Sequence, residues 1–419
     1  MGTMSRSRRR AVSHHTFPAL PPLASERGRS GNDVTAACAH LHSHQTKGAV
    51  TVSPSEMALR LAPTAWRPRR ASGMFRTPPR ASAERSAVPA GAQHGSNELE
   101  ALRSMTRLVV DTGDLAAIAR HSPTDATTNP TLLLKASKGG GLYRALAMDA
   151  LASKPAHESP RGRISGAADE LAVRVGLEIL NVVPGRVSTE VDARLSYDAH
   201  ATVQHALRLV ELYEQHGVDR ERLYLKIAAT WEGVQAVAAL QRDHRVDCNC
   251  TLIFSLAQAV ACADAGAALV SPFVGRILDW YQEHSGQTHF SPEQDPGVIA
   301  VKGVYNYFKA HDLPTVVMAA SFRNLDQIRQ LAGCDAMTLS PLFLDALAAS
   351  TAALERSLAP QRAARADVGP RLARCSSRAE FEARLGAGMA RDKLEEGVAL
   401  FSRDAEALEA WLAQLETEA

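Results

Sequence analysis

Residues 223–228 read Leu-Tyr-Leu-Lys-Ile-Ala, a short apolar run with one charged amine, Lys226, at its centre. Such a run reads as a strand buried in a parallel sheet. On either side lie Ala199–Gln215 and Trp231–Arg242, whose apolar residues recur every three or four positions, as in helices that bury one face. Seven more runs share the strand pattern: Thr106–Asp111, Ala126–Asn129, Arg186–Val191, Cys248–Phe254, Ala268–Phe273, Thr315–Ser321 and Ala336–Ser340. Helical stretches such as Asp114–Arg120, Ser255–Ala265 and Leu325–Leu331 fall between them. Alternating strand and helix argues an α/β fold with a parallel sheet, and eight such units suit a closed (β/α)8 TIM barrel. The body, 97–419, spans 323 residues, within range for that fold. Beyond Pro341 the pattern is helical, with additional helices expected over Leu342–Leu358, Arg378–Leu385 and Met389–Leu415.

Charge divides the chain in two. Of 47 Lys+Arg and 45 Asp+Glu, residues 1–86 hold 14 and 4, which leaves 87–419 with a net charge of −8. The basic balance of the whole chain is therefore no sign of a nucleic-acid-binding body. Residues 1–95, rich in Arg, Ser, Pro, Ala and His, cannot bury enough apolar surface to offset the cost of ordering them. They read as a disordered extension. Its Arg-rich, acid-poor composition suits an organellar transit peptide, plastid or mitochondrial; a true start at Met57 or Met74, with a cytoplasmic protein, is the other reading. Cys38, His40, His42 and His44 carry metal-binding atoms, but alternate spacing in such a tract gives no preformed site. The arginine clusters lack interleaved aromatic residues, so no RNA site is read from them. Lys138-Gly139-Gly140-Gly141 lacks the spacing of a phosphate loop and reads as a flexible connection. No apolar stretch is long enough to span a bilayer, and six cysteines are too sparse for a disulfide-stapled scaffold.

Catalytic groups in such barrels lie at the C-terminal ends of the strands. There the chain offers Asp111, Thr127 with Asn129, Glu190, Lys226, Asn249 with Thr251, Ser271 with Arg276, and Ser321 with Arg323. Each has a plainer role open to it. Asp111 or Asp114 could cap a helix; Thr127–Pro130 could be a strand exit with an Asx turn; Glu190 could pair with Arg186 or Arg194; the arginines could be ordinary ion-pair partners. Lys226 is harder to set aside. An amine between Leu225 and Ile227 must be paired, desolvated or functional, and desolvation frees the neutral amine that attacks carbonyls.

At these residues the sequence resembles the transaldolases, Schiff-base barrel enzymes of the pentose phosphate pathway. The resemblance is carried by Val-Asp-Thr-Gly-Asp (110–114), Asp-Ala-Thr-Thr-Asn-Pro (125–130), Gly-Arg-Val-Ser-Thr-Glu-Val-Asp-Ala-Arg-Leu-Ser-Tyr-Asp (185–198), Leu-Lys-Ile-Ala-Ala-Thr-Trp-Glu-Gly (225–233), Ser-Pro-Phe-Val-Gly-Arg-Ile-Leu-Asp-Trp-Tyr (271–281) and Ala-Ser-Phe-Arg-Asn (320–324). It runs collinearly over 97–419. It implies Lys226 as the Schiff-base lysine, Glu190 as the proton shuttle through a water held by Thr251, and Asp111 as the acid/base for the C4 hydroxyl. Thr127, Asn129, Asn249 and Ser271 would lie among the contacts to the dihydroxyacetone unit, with Phe273 as an apolar wall. Arg276, Ser321 and Arg323 would hold the phosphate. The implied reaction passes a dihydroxyacetone unit between sugar phosphates without metal or organic cofactor, in a homodimer. A fructose 6-phosphate aldolase and a non-catalytic sugar-phosphate-binding barrel are the competing readings. Against the family pattern, the segment from Lys226 to Asn249 runs about one residue long near His244, and 359–376 matches poorly.

Overall fold

The computed structural model describes residues 97–137, 141–155 and 159–418; the expectations for 1–95 and for the glycines at 139–140 lie outside them. Eight parallel strands close on themselves in chain order. They are β1 (Arg107–Asp111), β2 (Asp125–Thr127), β3 (Val187–Glu190), β4 (Leu223–Ala228), β5 (Cys248–Ile253), β6 (Leu269–Pro272), β7 (Val316–Ala319) and β8 (Ala336–Leu339). The fold is the expected (β/α)8 barrel. Several strands stop sooner than the apolar runs suggest, so that Asn129, Phe273 and Ser321 stand on the loops just past β2, β6 and β7.

Side chains alternate across each strand. The outward set joins the surrounding helices in one large core, which includes Val110, Leu225, Ile227, Cys248 and Cys250. The inward set is much smaller. Val109, Tyr224, Leu269, Met318 and Ala336 pack as a separate apolar plug across the barrel interior. Below the plug, toward the strand N-termini, Arg186 pairs with Asp247 at 2.6 Å and Arg107 with Asp125 at 3.5 Å, and the Arg186 guanidinium lies 4.5 Å from the Tyr224 ring centre. That end is closed by packing and ion pairs. Two positions on from the plug residues Val109, Tyr224 and Leu269 come Asp111, Lys226 and Ser271, whose polar side chains face the other end of the barrel.

Two helix expectations need correction. The helix expected over Leu342–Leu358 covers Pro341–Ala349 only. Leu354 and Leu358 are buried, but in an irregular segment whose Leu358 N donates to Ala332 O at 2.8 Å, and their spacing imitated a helical stripe. The helix expected over Trp231–Arg242 is α-helical to Ala239 and then widens into a π turn, Leu240–His244, before Arg245 in the left-handed region. A π turn takes one residue more than an α turn without breaking the helix. The 359–376 segment lies on the outer helices, where Arg371 pairs with Asp264 at 2.8 Å and Leu372 N donates to the Tyr307 hydroxyl at 2.6 Å.

The C-terminal helix, Met389–Glu418, crosses toward the open end. Arg194, in the loop after β3, holds Asp192 and Glu409 at once, each at 2.6 Å. At Gly397 a Cβ would come within 2.6 Å of Leu252 Cδ2, so glycine lets this helix sit directly on the end of β5. No helix among the described residues is long and apolar enough to cross a membrane.

Candidate active site

Register builds the centre of the site. Glu190, Lys226 and Asn249 are aligned on β3, β4 and β5. Lys226 Nζ lies 3.1 Å from Glu190 Oε2 and donates to the Thr128 carbonyl at 3.4 Å. Lys226 is 5% exposed, so this is a desolvated pair and no surface salt bridge. Burial pushes the Glu190 carboxyl above the usual range, against the pull of Lys226 and Arg276.

One level of hydroxyls and amides surrounds the pair. Asn249 is fully buried; its Oδ1 accepts from Ser271 Oγ at 2.6 Å and its Nδ2 donates to Ser188 Oγ at 3.2 Å. Asp111 stands opposite Thr127 in register, and Thr127 Oγ1 lies 3.0 Å from both Asp111 Oδ1 and Thr338 Oγ1. Thr251 Oγ1, on β5, and Arg276 Nη1 are buried and make no hydrogen bond among the described residues. Buried polar atoms are normally satisfied, so both point to a ligand or water in the working site.

Arg276 belongs to the helix Val274–His284, which begins directly after Phe273. Its guanidinium lies 5.2 Å from the Phe273 ring centre and 5.5 Å from that of Phe401, on the C-terminal helix. Burial, with Arg323 nearby, lowers its pKa from the ordinary arginine value. Phe273 packs edge-on against Phe254, ring centres 5.7 Å apart. Ser321 has a φ of 60°, a left-handed turn that brings Arg323 back toward it: Arg323 Nη1 lies 3.3 Å from Ser321 Oγ. Carboxylates and an amine thus occupy one side of the mouth and guanidiniums another.

The plainer roles divide. Asp114, not Asp111, caps a helix, its Oδ1 accepting from Ala116 N and Ala117 N. Asn129 caps a helix, its Oδ1 accepting from Leu132 N at 2.9 Å, a bond that does not engage its amide NH₂. Glu190 pairs with neither candidate arginine, since Arg186 goes to Asp247 and Arg194 to Asp192 and Glu409. Arg323 is an ion-pair partner, of Asp279 at 2.6 Å. Sequence reading passed over Ser188, Thr338 and Phe401. The period of two that selects Glu190 also selects Ser188, which was the available signal; Phe401 comes from a helix far along the chain and had none.

A family model described as transaldolase/fructose-6-phosphate aldolase matches residues 108–412. The chain belongs to this family. Among curated relatives, a transaldolase of Alteromonas mediterranea is 49% identical over 319 residues, covering 76% of this chain and 98% of that protein. A transaldolase of Edwardsiella ictaluri is 47% identical over 321 residues, 76% and 99% of the two chains. One of Pasteurella multocida, named transaldolase A, is 46% identical over 319 residues, 76% and 98%. Of the positions the resemblance assigned, Asp111, Thr127 and Glu190 end their strands, Lys226, Asn249, Thr251 and Ser271 lie within β4, β5 and β6, and Asn129, Phe273, Arg276, Ser321 and Arg323 lie past β2, β6 and β7.

Proposed function

We propose that the protein is a transaldolase, moving a dihydroxyacetone unit from a ketose phosphate (sedoheptulose 7-phosphate or fructose 6-phosphate) to an aldose phosphate. The observation that carries the chemistry is the buried contact between Lys226 and Glu190 above a sealed barrel interior. The Lys226 amine attacks the C2 ketone, giving a carbinolamine. Glu190, through a water on Thr251, takes a proton from the attacking nitrogen and returns it to the departing hydroxyl, and water leaves to form the iminium. Asp111 takes the C4 hydroxyl proton; the C3–C4 bond breaks and its electron pair passes into the iminium, leaving an enamine on Lys226 and a free aldehyde. The acceptor's carbonyl carbon is then attacked by the enamine, the proton returns from Asp111 to the new hydroxyl, and water hydrolyses the iminium. Asn129, Asn249 and Ser271 hold the three-carbon unit, with Thr127 orienting Asp111. Arg276, Ser321 and Arg323 hold the terminal phosphate, whose oxygens match guanidinium donors. No metal or organic cofactor enters these steps.

Fructose 6-phosphate aldolase activity is the second reading, supported by the breadth of the family's description. Trapping separates them. The protein is incubated with fructose 6-phosphate, reduced with borohydride and mapped by mass spectrometry. A three-carbon adduct on Lys226 is expected, depleted when erythrose 4-phosphate is added before reduction. An adduct on another lysine, or none, sinks the mechanism; an adduct that acceptor does not deplete favours the aldolase. Residues 1–95 fall outside the matched segment, and N-terminal sequencing of the mature protein distinguishes a cleaved organellar leader from a cytoplasmic start at Met57 or Met74. The homodimer is checked by light scattering.

A further inference from the structure

Arg323 is gripped along one edge. Its Nε donates to Asp279 Oδ1 and Oδ2 at 3.1 and 3.2 Å, and its Nη2 to Oδ2 at 2.6 Å. Nη1 is left to face Ser321, 3.3 Å from the hydroxyl and 3.4 Å from the carbonyl. The backbone is pinned too: Arg323 N donates to Gln327 Oε1 at 2.8 Å, and Gln327 Nε2 donates to buried Asp295 at 2.9 Å. From the other side Gly275 presses close, where a Cβ would come within 2.6 Å of Arg323 Cγ. Arg276, three residues before Asp279 and so on the same side of their helix, takes no part in the pair. Of the two guanidiniums, Asp279 hydrogen-bonds that of Arg323 and, among the described residues, not that of Arg276.

We propose that Asp279 is a positioning residue for the phosphate end of the substrate: by clamping the Nε–Nη2 edge of Arg323 it aims the Nη1 edge, together with the Ser321 hydroxyl, at the terminal phosphate. The proposal rests on the sugar-phosphate reading above and adds a residue to it. A long side chain held beforehand in its binding rotamer loses less freedom when the ligand arrives. Charge alone argues the reverse, because removing a carboxylate raises the net positive charge of the site and favours any anion. Positioning and charge move the KM in opposite directions, so its sign decides between them.

The test is steady-state transfer from fructose 6-phosphate to erythrose 4-phosphate in the full chain carrying Asp279→Asn or Asp279→Glu. Asp279→Asn is expected to raise the fructose 6-phosphate KM roughly two- to tenfold, the factor that ordering one such side chain is worth. Its kcat stays within about twofold, since the reacting carbons are untouched. Asp279→Glu keeps the charge but displaces it by one methylene, and is expected to fall between parent and Asp279→Asn. A KM at or below the parent's in Asp279→Asn overturns the proposal. If that variant does not fold, a parental KM in Asp279→Glu overturns it instead. Borohydride trapping keeps the two levels apart: failure of the parent to form the Lys226 adduct removes the Schiff-base reading itself, whereas these KM outcomes concern Asp279 alone.

Discussion

Glu190 and Lys226 face each other across the β3–β4 register with Oε2 and Nζ 3.1 Å apart, both side chains out of solvent. Burial is the largest influence on the carboxyl and raises its pKa; Lys226 and Arg276 oppose it. The sign matters for the rate. A group that must be ionised to accept a proton, and whose pKa is raised, loses that form as pH falls through a value above the usual glutamate range of about 4.3. The acid limb of kcat/KM should therefore lie above that range. Glu190→Gln should flatten the limb and lower kcat by about 10²- to 10⁴-fold, the ordinary worth of a proton shuttle. A pH–rate profile of parent and variant checks this. The same acid limb in Glu190→Gln would assign it to another group.

Most of the barrel was legible because a buried parallel strand leaves a dense apolar signature, and β4 was read to the residue. Ends were less legible. The apolar runs continue through Phe273 and Ser321 because those loops are themselves buried or half-buried, so the pattern gave no reason to stop. Leu354 and Leu358 show the converse, a helical spacing produced by a chain that is not helical. At the site, residues on strands could be found by alternation, whereas Phe401 reaches Arg276 only because the C-terminal helix folds back over the mouth. Tertiary return of that kind has no local signature.

Outside the site, the first described helix is tied down by a buried acid. Glu98 is 1% exposed and meets Arg329 through two bonds of 2.9 Å. The hydrogen bond from Arg329 is the main reason its pKa is lowered. A carboxylate lowered in the folded state stabilises above the unfolded value, near about 4.3, and that contribution is lost as pH falls through the folded value. Glu98→Ala should cost about 1–3 kcal/mol at neutral pH. Urea midpoints compared at pH 7 and pH 4 should show the deficit shrinking at the lower pH. A deficit that grew on acidification would contradict the pairing.

Phe273 bears on transfer against release. Its ring is buried and lies beside Arg276, giving that wall of the site no hydroxyl. Phe273→Tyr would add one where it could protonate the enamine carbon, so that hydrolysis frees dihydroxyacetone before an acceptor arrives. Release of free dihydroxyacetone from fructose 6-phosphate, measured without acceptor, should rise in this variant. No increase would remove the wall from the account of why the unit is retained.

Gly275 sits where the first turn of the helix Val274–His284 nearly touches the loop after β7. Its N donates to the Ser321 carbonyl at 2.8 Å, and a Cβ there would press on that carbonyl and on Arg323 Cγ. Alanine in a helix normally gains up to about 1 kcal/mol over glycine. Overpacking against a backbone atom costs about 1–3 kcal/mol, and in the first helical turn the gain is at its smallest. The overpacking should win, so Gly275→Ala is expected to lower stability by about 1–2 kcal/mol. The carbonyl that must move carries Ser321 and Arg323 with it, and the guanidinium is then displaced from the position in which it is proposed to meet the phosphate. KM for fructose 6-phosphate should therefore rise by more than kcat falls. Denaturant midpoints and steady-state kinetics on the same preparation test both halves, and a stabilised variant with parental KM would mean that the β7 loop yields freely and does not fix the arginine.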